Sequence, residues 1–143
     1  MKAVGILSII FFFFQIQREK STLNIEITDI RNHKGVIRIS VYTAEKEYPY
    51  HPAKTYLVKK DSLAYGKIKT SITDLYPGYY GMCILDDENN SGQMESNIIG
   101  IPLEGFGFAN NIKPFLKRPD YDRIVFHLFP GVNHIQLIIR YRN

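Results

Sequence analysis

The stretch Asp87-x-Asn89-x-Ser91-Gly92-Gln93-x-Glu95 puts oxygen-bearing side chains at its first, third and fifth positions. Gly92 follows at the sixth, a backbone carbonyl is available at Gln93 in the seventh, and Glu95 stands ninth. A hard cation needs several oxygens on a tightly curled backbone, and this is the spacing of a calcium loop. The twelfth position is Ile98 rather than a bidentate glutamate, so Asp86, Glu88 or Glu104 would have to supply the missing oxygens. The same residue types also build an Asx-rich turn that satisfies its own backbone. Both readings stand on the sequence. A calcium site of this kind belongs to the weak extracellular class, with a dissociation constant of roughly 10⁻⁴–10⁻³ M.

The second stretch with chemical character is Gly105-Phe-Gly-Phe-Ala-Asn110. It lacks the third glycine and the βα context of a dinucleotide fingerprint. Phe106, Phe108 and Asn110 are the candidate ligand-binding residues, as an aromatic and amide surface for a glycan or a peptide. The structural alternative is that the two rings cover the end of a packed domain. Catalytic patterns are missing: there is no HExxH, no GxSxG and no CxxC. His33, His51, His127 and His134 are scattered without ligand spacing. Asp86 and Asp87 are adjacent, so on a strand they point to opposite faces and form no acid/base pair. An enzyme is not expected. Cys83 is the one cysteine, which excludes an internal disulfide, and no basic neighbour in sequence activates it.

The elements around these stretches read as strands. Leu23, Ile25 and Ile27 alternate with Asn24, Glu26 and Thr28, and Ile37, Ile39 and Val41 alternate with Arg38, Ser40 and Tyr42. Period-two alternation marks half-buried strands. A turn at Arg31–Gly35 suggests that the two form an antiparallel hairpin. Thr55–Lys60 and Lys67–Thr73 read as weaker strands, suited to sheet edges. Pro77-Gly78 is a tight turn leading into a strand over Tyr79–Leu85. Asp122–Phe129 and Asn133–Tyr141 complete the set, separated by Pro130-Gly131. The count is about seven strands with no strong helix. The expected fold is all-β, an antiparallel β-sandwich of immunoglobulin-like or prealbumin-like type.

Composition sets the class. The 143 residues carry 45% hydrophobic and 13% aromatic side chains, enough for one domain with a real core. The formal charge of +4 is mixed along the chain, and no basic run or nucleic-acid module is present, so no DNA or RNA partner is expected. Lys2 followed by the apolar run Ala3–Phe14 has the form of a secretory signal and is short for a membrane span. Residues 1–21 are therefore assigned as a signal peptide or N-terminal anchor, with cleavage expected within 15–22, and residues 22–143 as a single domain. The protein is expected to be exported, to the periplasm, the cell surface or the medium. It would touch a membrane only through an uncleaved N-terminal segment, and its partner would be an extracytoplasmic protein or glycan.

Three motifs occur in order: Leu75-x-Pro-Gly-x-Tyr80, Asp87-Glu-Asn-x-x-Gly92-x-Met-x-x-Asn97, and Gly100-Ile-Pro-x-Glu-Gly-Phe-Gly-Phe-x-Asn-Asn111. With the Lys34-Gly35 turn and the Tyr48-Pro49 pair, the chain resembles the exported bacterial proteins of domain-of-unknown-function family 2141. The resemblance spans about Leu23 to Tyr141. It implies export and a β-rich domain, and no established activity. Members usually carry a histidine where Asp86 stands and an aspartate where Glu95 stands. The expected function is thus a non-catalytic accessory or binding domain whose acidic loop is open to calcium. A carbohydrate- or peptide-binding module working through the glycine and aromatic stretch is the alternative.

Overall fold

The computed structural model describes residues 18–115 and 117–142. The N-terminal apolar run, and with it most of the assigned signal segment, lies outside the described residues. Eight strands build the domain: β1 Ser21–Thr28, β2 Val36–Tyr42, β3 Lys54–Lys59, β4 Ile68–Leu75, β5 Gly78–Asp87, β6 Gly105–Phe108, β7 Val125–Leu128 and β8 Val132–Ile138. They form two sheets, one ordered β4-β1-β8 and one ordered β3-β2-β5-β6, with β7 also paired to β5. The β-sandwich expected from the alternation is what the chain forms.

The alternating apolar residues face each other between the sheets. Leu23, Ile25 and Ile27 of β1 meet Ile37, Ile39 and Val41 of β2 and Met82 and Ile84 of β5, all at most 2% exposed. Burying one such side chain contributes roughly 1.5–3 kcal/mol, which is why the strand phase is fixed by this pattern. The two weak strands lie at edges, β3 at the end of one sheet and β4 at the end of the other.

Three expectations are corrected. β1 and β2 do not form a hairpin: β1 pairs with β4 and β8, while β2 pairs with β3 and β5. The Arg31–Gly35 turn instead carries the chain from one sheet to the other. The pairing is not wholly antiparallel, because β1 and β8 run parallel, with Ile25 opposite Ile135. The additional strand is β6, the Gly-Phe-Gly-Phe run, which pairs with the second half of β5 while β7 pairs with the first half.

β6 also links the sheets. Phe106 exchanges both backbone hydrogen bonds with Arg140, at 2.9 and 2.8 Å, just beyond the end of β8. The sandwich is pinched there. A Cβ on Gly107 would come within 2.6 Å of the Ile138 carbonyl oxygen, and one on Gly105 within 2.5 Å of the Ile139 side chain. Glycine therefore takes the inward positions of β6, and Phe106 and Phe108 take the outward ones. There they form a second apolar cluster with Ile124, on the outer face of the five-stranded sheet, against which Tyr48, Cys83, Ile112 and Tyr121 pack.

Candidate functional site

The acidic run begins as the last residues of β5, so its side chains alternate between faces. Asp86 points inward and is completely buried, as is Asp87 on the opposite side. Asp86 pairs through Oδ1 with the Lys60 ammonium, itself 3% exposed, and accepts a 2.5 Å hydrogen bond from the Tyr141 hydroxyl at Oδ2. Asp87 takes the Arg38 Nε–H at 2.5 Å. It also accepts the backbone N–H groups of Ser91 at 2.9 Å and Gly92 at 3.0 Å. Glu88 makes a two-pronged pair with Arg31 at 2.6 and 3.1 Å and accepts from the Asn32 amide at 3.1 Å. These bonds to Arg31 hold the Glu88 carboxyl below its ordinary range.

The calcium spacing is thus folded into a turn organised on Asp87. The Asn89 Oδ1 accepts the Ser91 N–H at 3.0 Å, and the Ser91 hydroxyl donates to the Gln93 carbonyl at 3.1 Å. Gly92 takes φ +81°, the curl that the spacing required. Gln93 and Glu95 are exposed, and what Glu95 contributes is a backbone carbonyl accepting the Leu103 N–H at 2.9 Å. Calcium at this turn would share Asp87 with Arg38, whose positive charge opposes a second cation there. Among the described residues no group of three or more His, Cys, Asp or Glu side chains is placed to hold an ion. Glu104 accepts the Glu88 N–H at 3.0 Å through Oε1, while its buried Oε2 has no hydrogen-bond partner among the described residues. Desolvation raises its carboxyl above the ordinary range.

Phe106 and Phe108 are 8% exposed and meet edge to face with centroids 6.0 Å apart. At that burial they are walls rather than an exposed platform. They belong to a cleft of about 380 Å³ on the outer face of the five-stranded sheet, lined on its other sides by Met94, Gly100 and Pro102 and by Pro114, Lys117 and Arg118. Ser40, Tyr42, Cys83 and Leu85 supply the sheet side. The Tyr42 hydroxyl donates to the Pro49 carbonyl at 2.8 Å, next to the cis Tyr48-Pro49 bond. Burial pushes the Cys83 thiol up to about 11, so it is a neutral part of the wall. Asn110, at φ +60°, spends its amide on the Arg123 and Val125 carbonyls at 3.1 and 2.9 Å, which fixes the connection after β6.

Lys117, Arg118 and Arg142 stand at the mouth of this cleft. Sequence reasoning did not single them out, because they lie in irregular segments and Arg142 is distant in sequence from the Phe106 stretch. Lys60 and Tyr141 were also missed. For Lys60 a signal was available: it continues the phase of Tyr56 and Val58, the side of β3 packed against the core. Asp86 likewise continues the buried phase of Met82 and Ile84. Two opposite charges on the buried phases of two strands announce a pair.

No curated protein and no solved structure matches the chain. A family model does match, over residues 25–136, with the description "Uncharacterized protein conserved in bacteria". The matched span runs from β1 into β8, takes in the acidic turn, both phenylalanines and all of the cleft lining except Arg142, and agrees with the resemblance seen in the motifs: the chain belongs to the bacterial family DUF2141.

Proposed function

We propose that this is an exported, non-catalytic binding module that holds a small ligand in the cleft on the outer face of its five-stranded sheet. The observation that carries the reading is the cleft itself. Its volume of about 380 Å³ lies in the range of small-molecule sites, roughly 300–1,000 Å³, and its phenylalanine, leucine, methionine and proline lining sets it apart from two hollows of similar volume elsewhere on the domain. Export is supported by Lys2 and the apolar run Ala3–Phe14. The non-catalytic reading is supported by the acidic run, where Asp86, Asp87 and Glu88 each have a cationic partner and face different ways. In this proposal the turn on Asp87 is the rim that holds the Met94–Pro102 segment over the cleft.

The test is saturable binding of an uncharged, environment-sensitive dye such as Nile red. The wild-type chain is expected to bind one equivalent. Ser40→Trp, which places an indole in the cleft, is expected to lose that binding while unfolding at an unchanged temperature. Undiminished dye binding by a folded Ser40→Trp chain would show that the cleft is not the site.

A further inference from the structure

We propose that the ligand of this cleft is a single-chain amphiphile with an acidic head: an apolar tail lying along Phe106 and Phe108, and a carboxylate at Lys117, Arg118 and Arg142. This rests on the cleft being the binding site, and adds the class of molecule it takes. The charge that lines the cleft is one-sided, while Glu45 and Asp120 lie on the far side of Lys117 and Arg118, in an adjoining hollow. Three lining residues are cationic and none is acidic. Arg142 donates to the carbonyls of Pro114 and Phe115 at 2.6 and 2.9 Å and so fixes those two residues beside the cleft, with its guanidinium 5.8 Å from the Phe106 ring. Lys117 meets Asp120 at 3.2 Å in an exposed pair, which screening leaves weak. Arg118 lies 5.3 and 5.6 Å from the Tyr48 and Tyr50 rings, and among the described residues no carboxylate pairs with it. A guanidinium held against ring faces keeps its fork of donors for an oxyanion.

The walls select the tail. A peptide would bring amides and a glycan would bring hydroxyls, and each group buried without a partner costs free energy. The cleft has little to offer them. Its neutral polar side-chain groups are the Ser40 and Tyr42 hydroxyls and the Cys83 thiol, and the Tyr42 hydroxyl already donates to Pro49. The backbone offers no open strand edge at Phe106, because its N–H and carbonyl are both taken by Arg140. A hydrocarbon chain asks for none of these groups, and Leu85, Met94, Pro102, Phe106, Phe108 and Pro114 provide its contacts.

Calorimetric titration of the full chain with octanoate, decanoate and laurate, each below its micellar concentration, tests the inference. Decanol and decyltrimethylammonium serve as neutral and cationic controls. Decanoate is expected to bind one to one, at least tenfold tighter than decyltrimethylammonium. Affinity is expected to rise up to about fourfold per methylene until the cleft is full. Arg118→Glu is expected to weaken decanoate at least tenfold and leave decanol within twofold. Ser40→Trp is expected to abolish both. Decanol binding as tightly as decanoate, with Arg118→Glu indifferent, would leave the cleft as a site and overturn the acidic head. Binding of none of these chains would overturn the amphiphile while Nile red still reports on the cleft separately. A short free-acid peptide that binds where decanoate does not would overturn the hydrocarbon tail.

Discussion

At the scale of the residue, Asp87 shows how one side chain serves a whole segment. Its two oxygens receive the Arg38 guanidinium and the N–H groups of Ser91 and Gly92, so a buried charge is fully hydrogen-bonded and the turn closes on it. Asp87→Ala strands the Arg38 guanidinium and the Gly92 N–H, leaves the Ser91 N–H with Asn89 alone, and is expected to cost about 2–3 kcal/mol in urea unfolding. The same site sets a quantitative test for calcium. A site of the weak extracellular class would gain about 1–2 kcal/mol in ~5 mM calcium, a readable rise in the unfolding midpoint. Because the Arg38 guanidinium already supplies the positive charge at Asp87, the midpoint is expected to be the same in EDTA and in calcium. A rise of several degrees that Asp87→Ala removes would establish the turn as a metal site. The motif spacing made both outcomes legible, since a turn that curls on a carboxylate and one that curls on a cation use the same residues. What separates them is Arg38, and its approach depends on the pairing of β2 with β5, which no local pattern encodes.

At the scale of the element, β6 explains why the family's most recognisable stretch has its form. Its phenylalanines face the cleft and its glycines face the point where the sheets close together. Gly107→Ala sets a methyl group against the Ile138 carbonyl, a backbone atom that cannot rotate away. It is expected to destabilise the domain by about 1–3 kcal/mol, and β6 shifted outward should also weaken dye binding in the cleft. An alanine at Gly107 with wild-type stability would mean that the sheets are not held so close. Strands whose two faces differ in polarity, such as β1, β2 and β8, were readable from alternation. β6 was not, because glycine on its inward face gives no hydrophobic signal. The supposed β1–β2 hairpin failed for a related reason: alternation tells which face is buried, not which strand lies alongside.

At the scale of the whole molecule, the Lys60–Asp86–Tyr141 network ties the two sheets at the end that carries the acidic turn. Lys60 follows β3, Asp86 is in β5, and Tyr141 comes after β8 of the other sheet. The Arg31 guanidinium lies 4.3 Å from the Tyr141 ring, and the Arg31 backbone N–H donates to the Tyr141 hydroxyl at 3.1 Å. Burial and the bond to Asp86 raise the Tyr141 phenol, so it stays a donor across the neutral range. A buried ion pair contributes little net stability when compared with apolar packing, yet removing one partner leaves a charge stranded. Lys60→Met is therefore expected to cost about 3–5 kcal/mol, because Asp86 keeps its burial and loses its counter-charge. Replacing the set together, as Lys60→Met/Asp86→Leu/Tyr141→Phe, is expected to return most of that loss. Urea unfolding of the single and triple variants reads both numbers. If the triple variant is as unstable as Lys60→Met, the network is required for the sheets to meet in this register. If Lys60→Met costs less than about 1 kcal/mol, the ammonium is solvated and the sandwich is more open at this end. The expected pattern, a costly single change and a cheap triple one, is what a tie that sets geometry rather than stability should produce, and the geometry it sets includes the direction in which β5 delivers Asp87 to the rim of the cleft.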